Sequence, residues 1–164
     1  MLTVAVVKLD KATLGIQSVQ DHLKDLKPFW RDIFAPKYFG MVQDLFATGG
    51  RQRGGGGRFK SGAWPRLSVD YAKWKRKHYP GKGILVREGD LQESVRWGGT
   101  GLGAGGIFIP TNSAVTAGTS IPYGRFHNKG TNRLPVREFL PTPDPVVFAP
   151  LLKTWLLRDV KKAP

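Results

Sequence analysis

Residues 49–62 constrain the fold of this chain more than any other stretch. They contain seven glycines, four basic residues and no acidic residue. Because glycine loses more conformational entropy on ordering than any other residue, the composition predicts a flexible loop. The packed helices and strands must then come from the chain on either side. A chain of 164 residues is long enough to bury a substantial core. We therefore predict a single domain, residues 1–164, that carries this loop.

The sequence before the loop predicts one strand and a helical block. Residues 2–9 are mostly apolar and β-branched, which is typical of a strand. From Ile16 to Thr48 apolar residues recur at steps of three and four, the pattern of amphipathic helices. Pro28 and Pro36 interrupt this pattern, so we expect two or three helical pieces rather than one rod.

The sequence after the loop predicts short helices and strands. Residues 69–79 predict a basic helix with Ser68 as its N-cap, and Asp90 is predicted to cap a second, short helix. Residues 107–118 predict two strands around a turn. Asp144, followed by proline, predicts the start of a C-terminal helix that packs on the sheet. The resulting fold class is α+β, with N-terminal helices, a small and mainly antiparallel sheet, and a C-terminal helix.

An aromatic stripe runs along the predicted basic helix. Leu67, Tyr71, Trp74 and His78 share one face, which we predict to lie in the core rather than to stack on nucleic-acid bases. The lysines of this helix lie mostly off the stripe. Their pattern leaves two alternatives open, a solvated face or a face toward an acidic partner.

The charge of the chain favours a polyanionic neighbour over a merely solvated surface. Lysine and arginine number 26 against 12 acidic residues, which gives a net charge of +14. The candidates for a DNA-facing or subunit-docking loop are Arg51, Arg53, Arg58 and Lys60. The loop resembles the RGG-type segments of nucleic-acid-binding proteins. We nevertheless favour its ordering by a neighbouring subunit.

The composition and motifs predict neither a cofactor nor an enzyme. The chain has no cysteine, which excludes disulfides and thiolate metal sites and fits assembly in a bacterial cytoplasm. Its three histidines lack metal-ligand spacing, and no apolar run is long enough to cross a membrane. Residues 101–106 match G-x-G-x-x-G, but a dinucleotide site needs a strand before this motif and a helix after it. The predicted order here is the reverse. His127 is interpreted as a packing residue beside Tyr123 rather than as a base.

Residues 123–140 are predicted to contain a turn and a strand. Tyr123 and His127 are four residues apart, which suits one helical turn, and Gly130 is predicted to end that turn in the left-handed helical conformation. Residues 134–140 alternate imperfectly between apolar and polar and predict a short edge strand.

Four motifs follow one another in a specific order. They are W-P-x-L-S from Trp64, I-L-V-x-x-G-x-L-x-x-S from Ile84, Y-x-x-x-H-x-x-G from Tyr123 and P-x-R-x-F-L from Pro135, and a lysine-rich helix lies between the first two. This order resembles the phage virion-morphogenesis (tail-completion) family of the Mu type, over roughly residues 40–142. The residues that carry the resemblance are Trp64, Leu67, Leu85, Gly89, Leu91, Ser94, Tyr123, His127, Gly130, Pro135, Arg137 and Phe139.

The resemblance implies a structural protein at the head–tail junction of a phage. Such a protein completes, terminates or connects the tail and is required to join the tail to the head. The implied partners are further copies in a homo-oligomeric ring, six by the usual tail symmetry, together with the neighbouring connector and tail tube proteins. Non-specific contact with packaged DNA and a location in the virion, without a membrane, complete the expectation. The alternative from charge and composition is a free basic nucleic-acid-binding protein.

The large apolar residues of the motif segments are expected to be buried. These are Trp64, Trp74, Leu85, Leu91, Tyr123 and Phe139.

Overall fold

The computed structural model describes residues 11–51 and 63–158, with only the backbone described for residues 11–15. The strand predicted at residues 2–9 lies outside these residues. Of the predicted loop 49–62, the described part comprises Gly49, Gly50 and Arg51.

The described residues form seven α-helices and one antiparallel pair of strands. The helices are α1 (Lys11–Lys24), α2 (Lys27–Phe29), α3 (Ala35–Thr48), α4 (Val69–His78), α5 (Asp90–Ser94), α6 (Gly124–Lys129) and α7 (Pro145–Leu156). The strands are β1 (Gly106–Pro110) and β2 (Val115–Thr119), with Gly106 opposite Thr119 and Pro110 opposite Val115. The predicted α+β fold class, including the C-terminal helix, is confirmed.

The N-terminal block consists of α1 and a second, continuous helical run. A π-helical segment, Trp30–Phe34, joins α2 to α3 without a break. Pro28 and Pro36 each lie within the first two positions of their helix. At Pro28, in the first turn of the run, the missing N–H would have no partner within the helix. Pro36 follows the π-helical segment, where the N–H of Ala35 donates to the carbonyl oxygen of Trp30 and the run continues into α3.

The core is dominated by aromatic side chains of the second helical run. Its buried apolar members are Phe29, Phe34, Ala35, Tyr38, Phe39, Val42, Leu45, Phe46, Trp64, Val86, Leu91, Val95, Phe139, Phe148 and Trp155. Helix α7 joins this core mainly through helices rather than through the sheet that the sequence predicted. Phe148 lies 4.9 Å from Phe34, and Trp155 lies 5.6 Å from Phe29, between ring centroids. The seven-residue spacing of Phe148 and Trp155 puts both rings on the face of α7 that meets those helices.

The burial expectations are met in part. Trp64, Leu91 and Phe139 are buried, and Leu85 is half-buried. The predictions for Trp74 and Tyr123 are wrong, because these side chains are 41% and 43% exposed.

The exposure of Trp74 follows from the orientation of α4. Its ring stacks between Tyr71 at 5.5 Å and His78 at 4.6 Å along the outer face of the helix. The inner face carries Lys75, which is 5% exposed. The aromatic stripe of α4 is therefore a surface feature and not part of the core.

One of the three predicted helix caps is wrong, because Gly89 occupies the N-cap position of α5 and Asp90 is the first residue of that helix. Ser68 is the N-cap residue of α4, as predicted, but its side chain makes no capping hydrogen bond. At α7 the prediction is correct, since an Asp144 carboxylate oxygen accepts the backbone N–H of Val146 at 2.9 Å.

Removing the Asp144 cap is expected to destabilise the protein. Asp144→Ala should lower the free energy of unfolding by about 1 kcal/mol, because an N–H of the first turn of α7 loses its acceptor. Ser68→Ala is the matched control and should leave stability nearly unchanged. Urea denaturation of both variants tests this, and an equal loss in the two would contradict the cap assignment.

The described ends of the glycine-rich segment meet. The backbone N–H of Trp64 donates to the carbonyl oxygen of Gly49 at 2.9 Å. Gly50 has φ 85°, and a Cβ there would lie 2.6 Å from the Trp64 backbone nitrogen. Glycine is therefore required at this position both for its positive φ and for the close approach.

Candidate functional site

Among the described residues lies a cleft of about 730 Å³. Helix α4, the turn before α5 and the segment that includes α6 and continues to Arg137 form its walls. The residues that line it are Arg66, Leu67, Ser68, Tyr71, Lys75, Leu85, Arg87, Glu88, Gly89, Asp90, Leu91, Tyr123, His127, Arg133, Leu134, Pro135 and Arg137. We call it the α4 cleft.

The residues of the family-like motifs converge on the α4 cleft. Eight of the twelve line it, namely Leu67, Leu85, Gly89, Leu91, Tyr123, His127, Pro135 and Arg137. The other four do not line the cleft. Trp64 and Phe139 belong to the core, and Ser94 is buried with its hydroxyl 2.8 Å from that of Thr119. Gly130 forms the turn that follows α6.

The segment 134–140 is not the edge strand that the sequence predicted. The Asn128 side-chain oxygen accepts the backbone N–H groups of Phe139 and Leu140, at 2.9 and 3.0 Å. The N–H of Arg137 donates to the carbonyl oxygen of His127 at 2.8 Å. Because α6 takes these donors, no strand ladder forms, and the segment is held against α6 as a wall of the cleft.

Gly130 has the predicted positive φ but not the predicted left-handed helical conformation. Its φ is 72° and its ψ is 175°, so the chain leaves α6 extended. A Cβ would lie 2.9 Å from Val136, which shows how closely the returning segment packs on this turn.

Arg137 connects two segments of the cleft wall. Its guanidinium is buried, with Nε donating to the carbonyl oxygen of Pro65 at 3.0 Å and Nη2 donating to that of Arg66 at 3.2 Å. In the reverse direction, the indole N–H of Trp64 donates to the carbonyl oxygen of Glu138 at 3.0 Å. The W-P and P-x-R motifs are thus joined by direct hydrogen bonds.

Lys75 is a second buried cation in the same cleft. Its ammonium group donates to the carbonyl oxygen of Gly83 at 2.6 Å and forms no ion pair with a carboxylate among the described residues. Burial, and then the positive charge of Arg137, lower the pKa of Lys75. A carboxylate placed between these two cations would relieve both effects.

Leu85 lies in the cleft wall with a strained backbone. Its φ of 62° is the only positive value at a non-glycine residue in the described ranges. A bulky residue rarely occupies this region, and such strain concentrates at functional sites. The Lys75–Gly83 hydrogen bond holds the turn in which this conformation occurs.

The mouth of the cleft is predominantly basic. Arg66, Arg87 and Arg133 are exposed there, against the carboxylates of Glu88 and Asp90. Glu88 pairs with Arg87 at 3.0 Å. With Lys75 and Arg137 the cleft has five cationic side chains and two anionic ones, so its field favours an anionic occupant.

His127 packs in the cleft rather than being poised as a base. Its ring lies edge-on to Tyr123, 6.2 Å between centroids, and its Nδ1 is buried without a hydrogen-bond partner. Burial, and then the charge of Arg137, lower the pKa of His127 below the ordinary value of 6.5.

Acidification is expected to destabilise the protein through His127. Since its pKa is lower in the folded state, the unfolded chain binds a proton first, and stability falls as the pH drops below about 6.5. His127→Gln should flatten the dependence of the urea midpoint on pH between about pH 7.5 and pH 5. His78→Gln controls for the loss of an imidazole. An equally large change of slope in that control would contradict the assignment to His127.

None of the described contacts places a loop cation in the α4 cleft. Arg51 is exposed at the end of α3, where the Thr48 hydroxyl donates to its carbonyl oxygen. Arg53, Arg58 and Lys60 lie outside the described residues.

Sequence reasoning missed Lys75, Arg66, Arg133 and Asn128. Lys75 had no sequence signal, because the periodicity of α4 does not show which of its faces turns inward. For Asn128 no local pattern shows that its amide accepts N–H groups eleven and twelve residues away.

Residues 11–51 and 63–158 contain neither a metal-binding cluster nor a membrane-spanning helix. Within these ranges no cluster of three or more histidine, aspartate and glutamate side chains is placed to hold a metal ion. None of the helices in the described part of the chain is long and apolar enough to cross a membrane.

Comparison of this chain with family models, curated proteins and solved structures gives no match.

Proposed function

We propose that this chain is a structural phage virion protein that acts at the head–tail junction and is required to join the tail to the head. The proposal starts from the order of the four motifs. It is supported by one structural observation above all, that eight of the twelve motif residues line a single cleft. Residues whose role is packing alone would lie within the core, whereas these eight surround a space that another molecule can enter.

The chemistry of the cleft supports docking rather than catalysis. Its buried cations donate to backbone carbonyl oxygens, and its histidine packs against a tyrosine. No nucleophile paired with a base occurs among the described lining residues. Docking of a neighbouring virion protein needs a shaped and charged surface, and the α4 cleft offers one.

The proposal includes assembly into a homo-oligomeric ring, with six copies by the usual tail symmetry. The neighbouring partners are the connector and tail tube proteins, and the finished ring belongs to the virion. The net charge of +14 suits a ring that surrounds exiting DNA without holding it tightly.

The experiment is complementation of phage that lack the protein. Such phage should accumulate separate filled heads and tails, and adding the purified protein to the mixed extract should join them. Tailed particles in its absence would overturn the proposal. Light scattering of the purified protein, alone and with tail tubes, should show an oligomer, and a monomer in both samples would contradict the ring.

A second candidate function is free nucleic-acid binding, which the exposed aromatic stripe of α4 favours. Trp74 and Tyr71 lie on the surface beside Lys73 and Lys77. A salt titration of DNA binding discriminates between the two functions. A virion ring should bind DNA weakly, with salt sensitivity and without sequence preference, whereas nanomolar binding with base preference would favour the second function.

The loop cations provide the variant for this titration. Replacing Arg51, Arg53, Arg58 and Lys60 with glutamine should lower the weak DNA affinity and preserve the fold. If this variant binds DNA normally but no longer joins tails to heads, the loop docks protein instead of facing DNA.

A further inference from the structure

The buried end of the α4 cleft has the chemistry of a carboxylate site. Lys75 and Arg137 are each 5% exposed and both line the cavity. The hydrogen bond of Lys75 uses one of the three N–H groups of its ammonium. The hydrogen bonds of Arg137 use Nε and Nη2 of its guanidinium. Two buried cations without an anionic partner are costly, and a bound anion would offset that cost.

An exposed apolar surface continues from this end of the cleft. Tyr71 lines the cavity and also stacks on Trp74 outside it, so the two features form one surface. On the opposite wall, Tyr123 and Leu134 are 43% and 38% exposed. Exposed aromatic side chains next to arginine are typical of protein-binding hot spots.

The buried cations favour a peptide over a stacked base as the occupant of the cleft. Lys75 and Arg137 line a cavity of about 730 Å³, which is of the size that accepts a peptide side chain or a small ligand. The Trp74 ring already stacks with Tyr71 and His78, at interplanar angles of 20° and 24°, so an incoming base would compete with these contacts.

We propose that the α4 cleft binds an acidic peptide segment of a partner protein, with one carboxylate at Lys75 and Arg137 and a neighbouring apolar side chain against Tyr71 and Trp74. This inference rests on the proposed function, because it assumes that the partner is a neighbouring virion protein. Arg66 and Arg133 at the mouth attract the same segment and pair with its further carboxylates.

The test uses the full chain and a fluorescein-labelled peptide, Gly-Asp-Phe-Asp-Leu-Asp-Gly, with fluorescence anisotropy as the readout. The peptide should bind saturably and in one-to-one ratio. Its counterpart with asparagine at each aspartate should bind at least about tenfold more weakly, because charge-assisted hydrogen bonds are lost. Equal binding of the two peptides, or no binding of either, would overturn the proposal.

Matched charge removals separate the cleft from the general basic field. Arg66→Gln with Arg133→Gln removes two exposed cations at the mouth, and Arg31→Gln with Lys37→Gln removes two exposed cations of the second helical run. The first pair should weaken binding at least about tenfold and the second less than about twofold. Equal weakening by the two pairs would overturn the proposal, since binding would then follow net charge alone.

A further variant and a competitor test the apolar part and the nature of the ligand. Trp74→Ala should weaken peptide binding equally at low and high salt, because it removes apolar contact rather than charge. Unchanged binding would remove the α4 stripe from the site. A single-stranded oligonucleotide that displaces the peptide, and whose own binding depends on Arg66 and Arg133, would replace the peptide proposal with nucleic-acid binding.

Complementation distinguishes this inference from the proposed function. If the Arg66 and Arg133 variant loses peptide binding but joins heads to tails normally, the acidic-peptide site stands and its assembly role is wrong. If joining is lost while peptide binding shows no dependence on the cleft, the assembly function stands and the peptide site is wrong.

Discussion

Phe139→Ala is expected to lower the free energy of unfolding by about 3–5 kcal/mol. The side chain is 1% exposed and lies 5.8 Å from Phe46 between ring centroids. Behind it, a Cβ at Gly124 would lie 3.3 Å from the ring, so the surroundings are closely packed. Deletion of the ring leaves a cavity that these neighbours can fill only in part.

Phe126→Ala is the matched control, because it deletes the same ring at a site that is 39% exposed beneath Arg125. Its cost should stay below about 1 kcal/mol. Urea or thermal denaturation measures both variants. Melting of Phe139→Ala at the wild-type temperature would show that the C-terminal motif is not anchored in the core.

Gly103→Ala is expected to be the second large effect, with a loss of about 3 kcal/mol. A Cβ at this position would overlap the carbonyl oxygen of Glu93, at the end of α5. The obstacle is backbone, so it cannot be relieved by a change of side-chain rotamer. Gly106 meets the carbonyl oxygen of Ser94 in the same way. Two of the three glycines of the G-x-G-x-x-G match, Gly103 and Gly106, therefore permit close packing on α5.

Gly101→Ala controls for the general effect of replacing glycine in this stretch. Nothing lies within 4 Å of a Cβ at Gly101, so its substitution should be neutral or slightly stabilising. Denaturation of the two alanine variants side by side measures the difference. Similar stability of both would mean that α5 and the glycine-rich stretch separate easily.

The elements of the fold were predictable where local signals were strong. The hairpin of β1 and β2 follows from two β-branched runs around a turn. The start of α7 follows from Asp144 and the proline after it, where the cap and the proline both favour a helix start. Each of these two structures is determined by residues that are close in sequence, so it depends little on tertiary packing.

The orientation of α4 was not predictable from its periodicity. A helical pattern identifies which residues share a face, but tertiary packing decides which face turns inward. Here the inward face carries Lys75, whose ammonium group donates a hydrogen bond to the carbonyl oxygen of Gly83. Trp74 is exposed as a consequence. The sequence therefore identified eight lining residues of the cleft as motif members, but it predicted neither the cleft itself nor its buried lysine.

The wall at residues 134–140 was unpredictable for a different reason. Alternation of apolar and polar residues favours a strand, but a strand also needs a partner for its N–H groups. Asn128 takes two of those groups through its side chain, and His127 takes a third through its carbonyl oxygen. Which acceptor prevails depends on the position of α6, and no local pattern contains that information.

The contact between Gly49 and Trp64 makes the glycine-rich segment an exchangeable insert. Because its two ends are hydrogen-bonded to each other, the rest of the chain is constrained in the same way whatever lies between them. Closure entropy rises only slowly with length, by about 0.6 kcal/mol for each doubling. The length and charge of the segment between these ends can therefore be changed while the core stays the same. An epitope inserted between Arg51 and Ala63 is therefore expected to leave the stability of the core unchanged.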